Sequence, residues 1–413
     1  MRQKIDISEL KTGMYVCDLD RPWLESPFLF QGFLVNSDTE LNELKELCDF
    51  VYIDPERAVD ASKEAHGPVT EKTAAADSAQ RPYISKFEDE IRPARELRNQ
   101  AVTYMEQMFR DIRAGKYIDG KQVRKMVAGM VASILRNPDA LVLLSNLRDH
   151  DEYAVAHSIN VCTLCLAFGR YLGLPARELT ELGMGGLLHD VGEIRVSTNI
   201  MRKQGLLSKE EALLMQTHTT HGADILRNST AIPPSAISIA LAHHERSNGQ
   251  GYPKGLFEKD IDYYSRIVGM IDVYDSVTSS HTYRHCISST EALKNMYNWR
   301  DNLFDASLIE SFIQCLGIYP VGSVVELGNG EVGIVISVSL DQRLQPKLML
   351  VRNSNKKAYM PPKIINLAQH TAIEYSSKYE INKVLEPDAY GIDLKSYLLR
   401  ELPLEAGVVG QIF

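Results

Sequence analysis

Between about residues 83 and 317 the apolar positions recur at three-to-four spacing, and Val127, Val131, Ile134 and Leu135 form one such stripe. Pro175 after Gly173 punctuates one predicted helix end, and Pro233–Pro234 opens another. Ahead of this span the period shortens. Met14–Val16, Phe28–Val35 and Asp49–Ile53 read as strands, the last following the helix-like ELNELKELC. Residues 61–82 are rich in Ala, Ser, Glu, Lys and Asp with almost no large apolar side chain, the texture of a linker. From Tyr319 the chain turns β-like: SVVELGNGEVGIVISVSL carries β-branched residues around Asn329–Gly330, a hairpin signal, and KLMLVRN supplies another strand. Residues 320 to about 370 read as a small β-module, and the tail beyond shows no clear signal. The expected fold is therefore multidomain and mainly α. It has a small α/β domain (1–60), a linker (61–82), an all-α helical domain (83–318) and a C-terminal β-module with its tail (319–413).

Length and composition narrow the function. A chain of 413 residues, 44% hydrophobic and 24% charged, is an ordinary multidomain protein with ample core. Lys plus Arg number 45 against 54 Asp plus Glu, a formal charge of −9, so wrapping a DNA or RNA polymer through its phosphates is not expected. A small phosphorylated ligand needs only a local cation cluster or metal ions. No apolar run reaches about 18 residues, so no membrane span is expected. MRQKIDISEL lacks an apolar signal core, and six sparse cysteines suggest no disulfide framework, so a cytoplasmic protein is expected. Cys162 and Cys165 form a lone CxxC inside the apolar VCTLCLAF, and they read as buried structural thiols.

Histidine carries the chemistry. Nine of the 11 histidines fall between His150 and His285. They lie beside carboxylates in compact groups: His157 in HSIN, the His189–Asp190 pair, His218 in QTHTTHG, His243–His244–Glu245, and Asp272 and Asp275 in IDVYD. Neutral imidazole with carboxylate suits iron, manganese, zinc or nickel, and helices of one bundle can converge such side chains on one centre. Neighbours on a helix point about 100° apart, so His189 and Asp190 cannot simply stack. Their adjacency works if Asp190 bridges two metals and His189 binds one; His243 and His244 can reach one ion near a helix end. Four ligands per metal with Asp190 shared gives seven: His157, His189, Asp190, His218, His243, His244 and Asp272. Two ions ~3.5–4 Å apart suit phosphodiester hydrolysis by a bridging hydroxide.

The order HS, HDVGE, HxxxG from His218 to Gly222, HHERSNGQGYP and DVYDSVTSSHTYR closely resembles the HD-GYP family of metal-dependent cyclic di-GMP phosphodiesterases, over about residues 145–300. The first 60 residues also resemble a small domain of unassigned function found ahead of HD-GYP domains. The resemblance implies an all-α bundle with a binuclear centre, iron or manganese first among its metals. One ion would be held by His157, His189, Asp190 and Asp272, and the other by Asp190, His218, His243 and His244. Asp190 and His189 would be the catalytic pair. The implied substrate is cyclic di-GMP, cut to pGpG and onward to GMP. A third metal in some members uses a Glu where this chain has Tyr153, so two ions are expected. Gly251, Tyr252 and Pro253 are the GYP triplet, implied to lie near the site and to serve ligand access and protein contact, with Tyr252 a substrate-side residue; a plain turn is the alternative.

Three positions depart from the family pattern. Glu193 stands where the family usually has a phosphate-contacting Lys; it faces the substrate in this reading, or points to solvent. His281 replaces an Arg, although Arg284 keeps a second cation, and Asn248 stands where Asp is frequent. Arg284 and Arg246 are candidate phosphate contacts through their guanidinium forks, or surface ion-pair partners. Glu245 and Asp275 are each candidates to orient a ligand histidine, or ordinary helix-face charges. The rival to a cyclic di-GMP phosphodiesterase is a pGpG-preferring or weakly active protein that acts as a nucleotide-responsive interaction module. Oligomeric state, including a homodimer, is left open.

Overall fold

The computed structural model describes residues 3–20, 33–35, 38–55, 84–146, 153–203, 205–279, 286–300, 302–339, 344–369, 376–386, 389–392 and 396–397. The chain divides into two compact units, Met1–Thr73 and Ala74–Phe413.

In the first unit, β1 (Gln3–Asp6), β2 (Tyr15–Leu19), β3 (Phe33–Leu34) and β4 (Phe50–Ile53) form an antiparallel sheet in the order β1-β4-β2-β3. Helix α1 (Asp38–Leu47) precedes β4. Leu10, Val16, Val35, Leu44 and Val51 are its innermost apolar side chains among the described residues. The sequence reading missed β1, whose QKID offers one buried side chain, Ile5, among charged neighbours. Of the expected strand Phe28–Val35, residues 28–32 lie outside the described residues, as does the 61–82 linker.

The second unit begins with α2 (Phe87–Arg113), α3 (Gly120–Arg136) and α4 (Pro138–Ser145). Asp119 caps α3 through Lys121 N, and Asn137 caps α4, which starts with proline and is buried along its whole length. Helices α5 (Tyr153–Tyr171) and α6 (Ala176–Leu188) pack along one another at the centre of the bundle. The close approach of α6 depends on its glycines: a Cβ at Gly185 would sit 2.1 Å from Ile239 Cδ1. After α6 come the short α7 (Thr198–Met201) and α8 (Lys209–Gln216), α9 (His218–Arg227), α10 (Pro234–Ala242), α11 (Tyr263–Thr278), α12 (Ser289–Trp299) and α13 (Ala306–Leu316). Cys162 and Cys165 are fully buried on α5, and burial pushes both thiols far up, as inert core residues require.

The β-module is an antiparallel sheet of β5 (Val324–Leu327), β6 (Val332–Ser337), β7 (Lys347–Arg352), β8 (Ala358–Asn366) and β9 (Ile381–Leu385), ordered β8-β7-β6-β5-β9. The β5–β6 turn is the expected Asn329–Gly330, with Gly330 at φ +81°. Strand β9 corrects the reading of the tail as featureless. INKVL is an edge strand with two adjacent exposed polar residues, Asn382 and Lys383, between half-buried apolar ones, so it lacks the apolar alternation that marks a strand in sequence. The α14 turn (Ser376–Tyr379) leads into it. The module is tied to α4: Ser337 Oγ donates to the buried Asp139 carboxylate at 2.6 Å, and Asn146 Nδ2 donates to Val321 O at 3.2 Å. No single described helix is long and apolar enough to cross a membrane.

Candidate metal centre

The chemistry-bearing residues sit where helices begin or end. His157 is in the second turn of α5, and His189 caps the C-terminus of α6. At Asp190 the chain leaves the helix (φ −99°, ψ 11°) and enters a 3₁₀ turn, Val191–Arg195. That departure lets two adjacent side chains converge, which a continuous helix forbids. His218 opens α9, His243 caps α10 with His244 next, and Asp272 lies within α11. The C-termini of α6 and α10 both end at the cluster, and their partial negative charge favours a cation there. Backbone is pressed on backbone around it: an added Cβ would lie 1.9 Å from His218 O at Gly192 and 2.1 Å from His243 O at Gly269.

All seven predicted ligands come together, in two overlapping sets: His157, His189, Asp190 and Asp272, and Asp190, His218, His243 and His244. Within each set the ligand atoms lie within 4.8 Å of one another. Asp190 faces both. Its Oδ2 is 3.1 Å from His189 Nε2 and 3.7 Å from His157 Nε2. Its Oδ1 is 3.3 Å from His218 Nε2 and 3.2 Å from His243 Nε2. Asp272 Oδ1 lies 3.0 Å from His157 Nε2 and 3.8 Å from His189 Nε2. Ligands about 2.1 Å from a common centre are separated by about 3.0 Å in an octahedron and about 3.4 Å in a tetrahedron; the shorter separations here, 3.0–3.3 Å, lie in that range, and those of 3.7 and 3.8 Å are wider.

The ring orientations support cation binding. Nδ1 of His189, His218 and His243 donates to the carbonyls of Gly186, Met215 and Ile239 at 2.8, 2.7 and 3.0 Å. A carbonyl only accepts, so each Nδ1 carries hydrogen and each ring turns its Nε2 to the centre, where a lone pair is offered once any Nε2 proton is displaced. His218 Nε2 and His243 Nε2 then face each other at 3.4 Å. Two ring nitrogens at that distance, beside a carboxylate oxygen, need positive charge between them, a proton in the metal-free protein or a bound cation. His189 Nε2 and Asp190 Oδ1 are moreover buried without an adequate hydrogen bond, which a protein tolerates where a metal completes the site. The residues present fit divalent ions.

Electrostatics agree. Burial works to lower the His189 pKa, but Asp190 and Asp272 outweigh it and hold it up at about 10. Burial works to raise Asp190 and Asp272, yet the surrounding imidazoles hold both well below the usual carboxylate range. Burial and then the neighbouring His243 push His244 well down, which favours its neutral ring.

The residues around the cluster divide differently from the sequence reading. Glu245 neither orients a histidine nor meets solvent. Its buried carboxylate accepts from Lys254 N and Leu256 N, both at 2.8 Å, and holds the GYP loop in place. Gly251 of that loop lies so close that a Cβ would be 2.4 Å from Glu245 Cα, which explains glycine there. Tyr252 stacks on His244, ring centroids 4.6 Å apart. Arg246 donates from Nη1 to His243 O at 3.0 Å and Glu245 O at 2.9 Å, bracing the HHE turn, and its guanidinium lies over Phe304. Asp275 does orient a ligand: Oδ2 is 2.7 Å from His157 Nδ1. Glu193 is half-buried rather than turned to solvent, and burial and then Asp190 push its carboxyl up to about 8. His281 and Arg284 lie outside the described residues. Sequence reasoning missed Asn160, which donates to Asp275 Oδ1 at 3.2 Å; its signal was the i, i+3 spacing from His157.

Residues 142–308 match the profile of the HD domain, and residues 2–123 match a domain of unknown function (DUF3391). Over 374 residues the chain is 34% identical to a cyclic di-GMP phosphodiesterase of Pseudomonas aeruginosa, covering 89% of this chain and 90% of the relative. The chain belongs to the HD-GYP family of cyclic di-GMP phosphodiesterases. A cyclic di-GMP phosphodiesterase of Thermotoga maritima is 32% identical over 177 residues, 43% of this chain and 48% of the relative. A cyclic di-GMP phosphodiesterase response regulator of Xanthomonas campestris is 34% identical over 145 residues, 35% of this chain and 38% of the relative. As an HD-GYP protein the chain is a hydrolase, and its His/Asp cluster is one that could hold divalent metal.

Proposed function

We propose that this HD-GYP protein hydrolyses cyclic di-GMP through a binuclear centre, adding water across one phosphodiester bond to give linear pGpG and across the second to give GMP. The observation that carries the binuclear reading is Asp190, whose two oxygens face two different ligand sets. Iron or manganese suits the mixed imidazole and carboxylate donors. Bound divalent ions supply charge neutralisation for the phosphodiester and acidify a water molecule.

The chain's own residues do the rest. Asp190 spans the two sets and keeps them close. His157, His189 and Asp272 complete one set; His218, His243 and His244 complete the other. The carbonyl clamps on Nδ1 keep the rings aimed inward, so little is lost in reorganising them on binding. Tyr252, stacked on His244 and held by the Glu245-anchored loop, is the aromatic wall we assign to the substrate side. Arg284 is the cation we assign to a phosphate. Arg246 braces the turn that carries two ligands, and Glu193 sets a carboxyl beside the HD pair.

Protein reconstituted anaerobically with Fe²⁺ or Mn²⁺ and given cyclic di-GMP or pGpG in separate reactions tests this by nucleotide chromatography. Cyclic di-GMP is expected to disappear with pGpG accumulating. Turnover of pGpG alone would make the chain a linear-dinucleotide hydrolase, and turnover of neither at full metal loading would refute the catalytic reading.

A further inference from the structure

The two ligand sets differ in what stands behind them. His189, His218 and His243 each rest their Nδ1 on a backbone carbonyl. His157 rests its Nδ1 on a carboxylate, Asp275 Oδ2 at 2.7 Å, with both side chains buried. The carboxylate is itself fixed: Oδ1 accepts from Asn160 Nδ2 at 3.2 Å and from Ser279 Oγ at 3.0 Å. A full negative charge on the outer nitrogen pulls the N–H toward it and makes the inner nitrogen a stronger donor than a carbonyl does.

Charge adds to the asymmetry. The His157 set contains Asp190 and Asp272 and is backed by Asp275. The His218 set contains three imidazoles and shares Asp190. His244, its last member, stacks on Tyr252 of the GYP loop.

Resting on the binuclear reading above, we propose that Asp275 is a positioning residue that makes the His157 set the tighter of the two metal sites, with Asn160 and Ser279 as its clamps. The His157 set fills first, and the His218 set, closed by the GYP turn, fills at higher metal concentration. Asp275 touches neither substrate nor ion; it acts through His157.

The test is Mn²⁺ binding to metal-free full-length protein under anaerobic conditions, followed by equilibrium dialysis and elemental analysis, with no substrate present. Wild type is expected to bind in two steps of different affinity. Asp275→Asn keeps the shape and removes the charge, so it is expected to weaken the tighter step 10–100-fold and to leave the weaker step within about threefold. Asn160→Ala, which loosens the clamp and spares the carboxylate, is expected to weaken the same step by less. Loss of both steps to the same degree in a folded Asp275→Asn protein, or an unchanged tight step, overturns the proposal. Should Asp275→Asn fail to fold by circular dichroism, Asn160→Ala decides: a tight step unchanged from wild type overturns it. A wild type that binds no manganese overturns the metal reading itself, and the inference with it.

Discussion

Gly192 offers the sharpest mechanical test of the site. It follows the HD pair by two residues, and its Cα faces the first turn of α9, which carries His218. A methyl added there would lie 1.9 Å from His218 O and 2.4 Å from Gly222 N. Real Cβ atoms essentially never approach closer than 3.0 Å, so the two backbones must part by at least 1.1 Å. Both obstacles are backbone, so no rotamer change relieves them. If the turn moves as a body, the 3.3 Å between His218 Nε2 and Asp190 Oδ1 opens to about 4.4 Å, against a tolerance of about 0.2 Å per metal–ligand bond. Overpacking costs about 1–3 kcal/mol of stability, and misplacement of about 1 Å costs about 100-fold in rate. Gly192→Ala is therefore expected to stay folded, lose the ion held by the His218 set and turn over cyclic di-GMP at least about 100-fold more slowly. Gly222→Ala is the control across the same contact: its Cβ meets Gly192 N at 3.3 Å, a strain of tenths of an ångström, and it should keep most activity. Elemental analysis, steady-state kinetics and denaturant melts on the pair decide. Two ions and near-normal kcat in Gly192→Ala would refute the claim that the 3₁₀ turn and α9 are held in register by backbone contact.

Asp190→Ala should lose both ions and all activity, more severely than His157→Ala, which removes a terminal ligand; equal metal content in the two variants would contradict sharing. Glu193→Lys should lower KM for cyclic di-GMP without changing metal content, because a half-buried carboxyl beside the HD pair becomes a cation; opposite charges ~4 Å apart at an effective dielectric of 20 are worth about 4 kcal/mol, and a third of that is about tenfold. An unchanged or raised KM would mean phosphate recognition runs elsewhere. Acid should release metal. The metal-free His189 pKa is raised to about 10, so below that pH an incoming ion must displace its proton, and affinity should fall by up to about tenfold per pH unit per displaced proton; equilibrium dialysis between pH 8 and 6 measures the slope.

The ligand cluster was legible because its chemistry is compositional: HD, HH and two aspartates one helical turn apart are rare together, and their types alone point to a borderline divalent metal. The helix end at His243 was legible too, from the adjacent His244; the end at His189 was not, because a bridging Asp190 already accounted for that pair. The supports were harder to read. Glu245 looks in sequence like a neighbour of ligands, yet it faces away to bind Lys254 N and Leu256 N, a direction set by the return of the loop. Gly192 and Gly269 carry no signal beyond being glycine; their reason is the backbone they press against. Strand β9 escaped because an edge strand of INKVL has little buried face, and its partner β5 lies more than 50 residues earlier.

The most direct measurement is anomalous X-ray diffraction from crystals of the protein reconstituted anaerobically with Fe²⁺ or Mn²⁺. Two peaks are predicted on either side of the Asp190 carboxylate, ~3.5–4 Å apart, one against His157, His189 and Asp272 and the other against His218, His243 and His244. A single peak, or a pair that does not bracket Asp190, would contradict the shared-carboxylate centre on which the account rests.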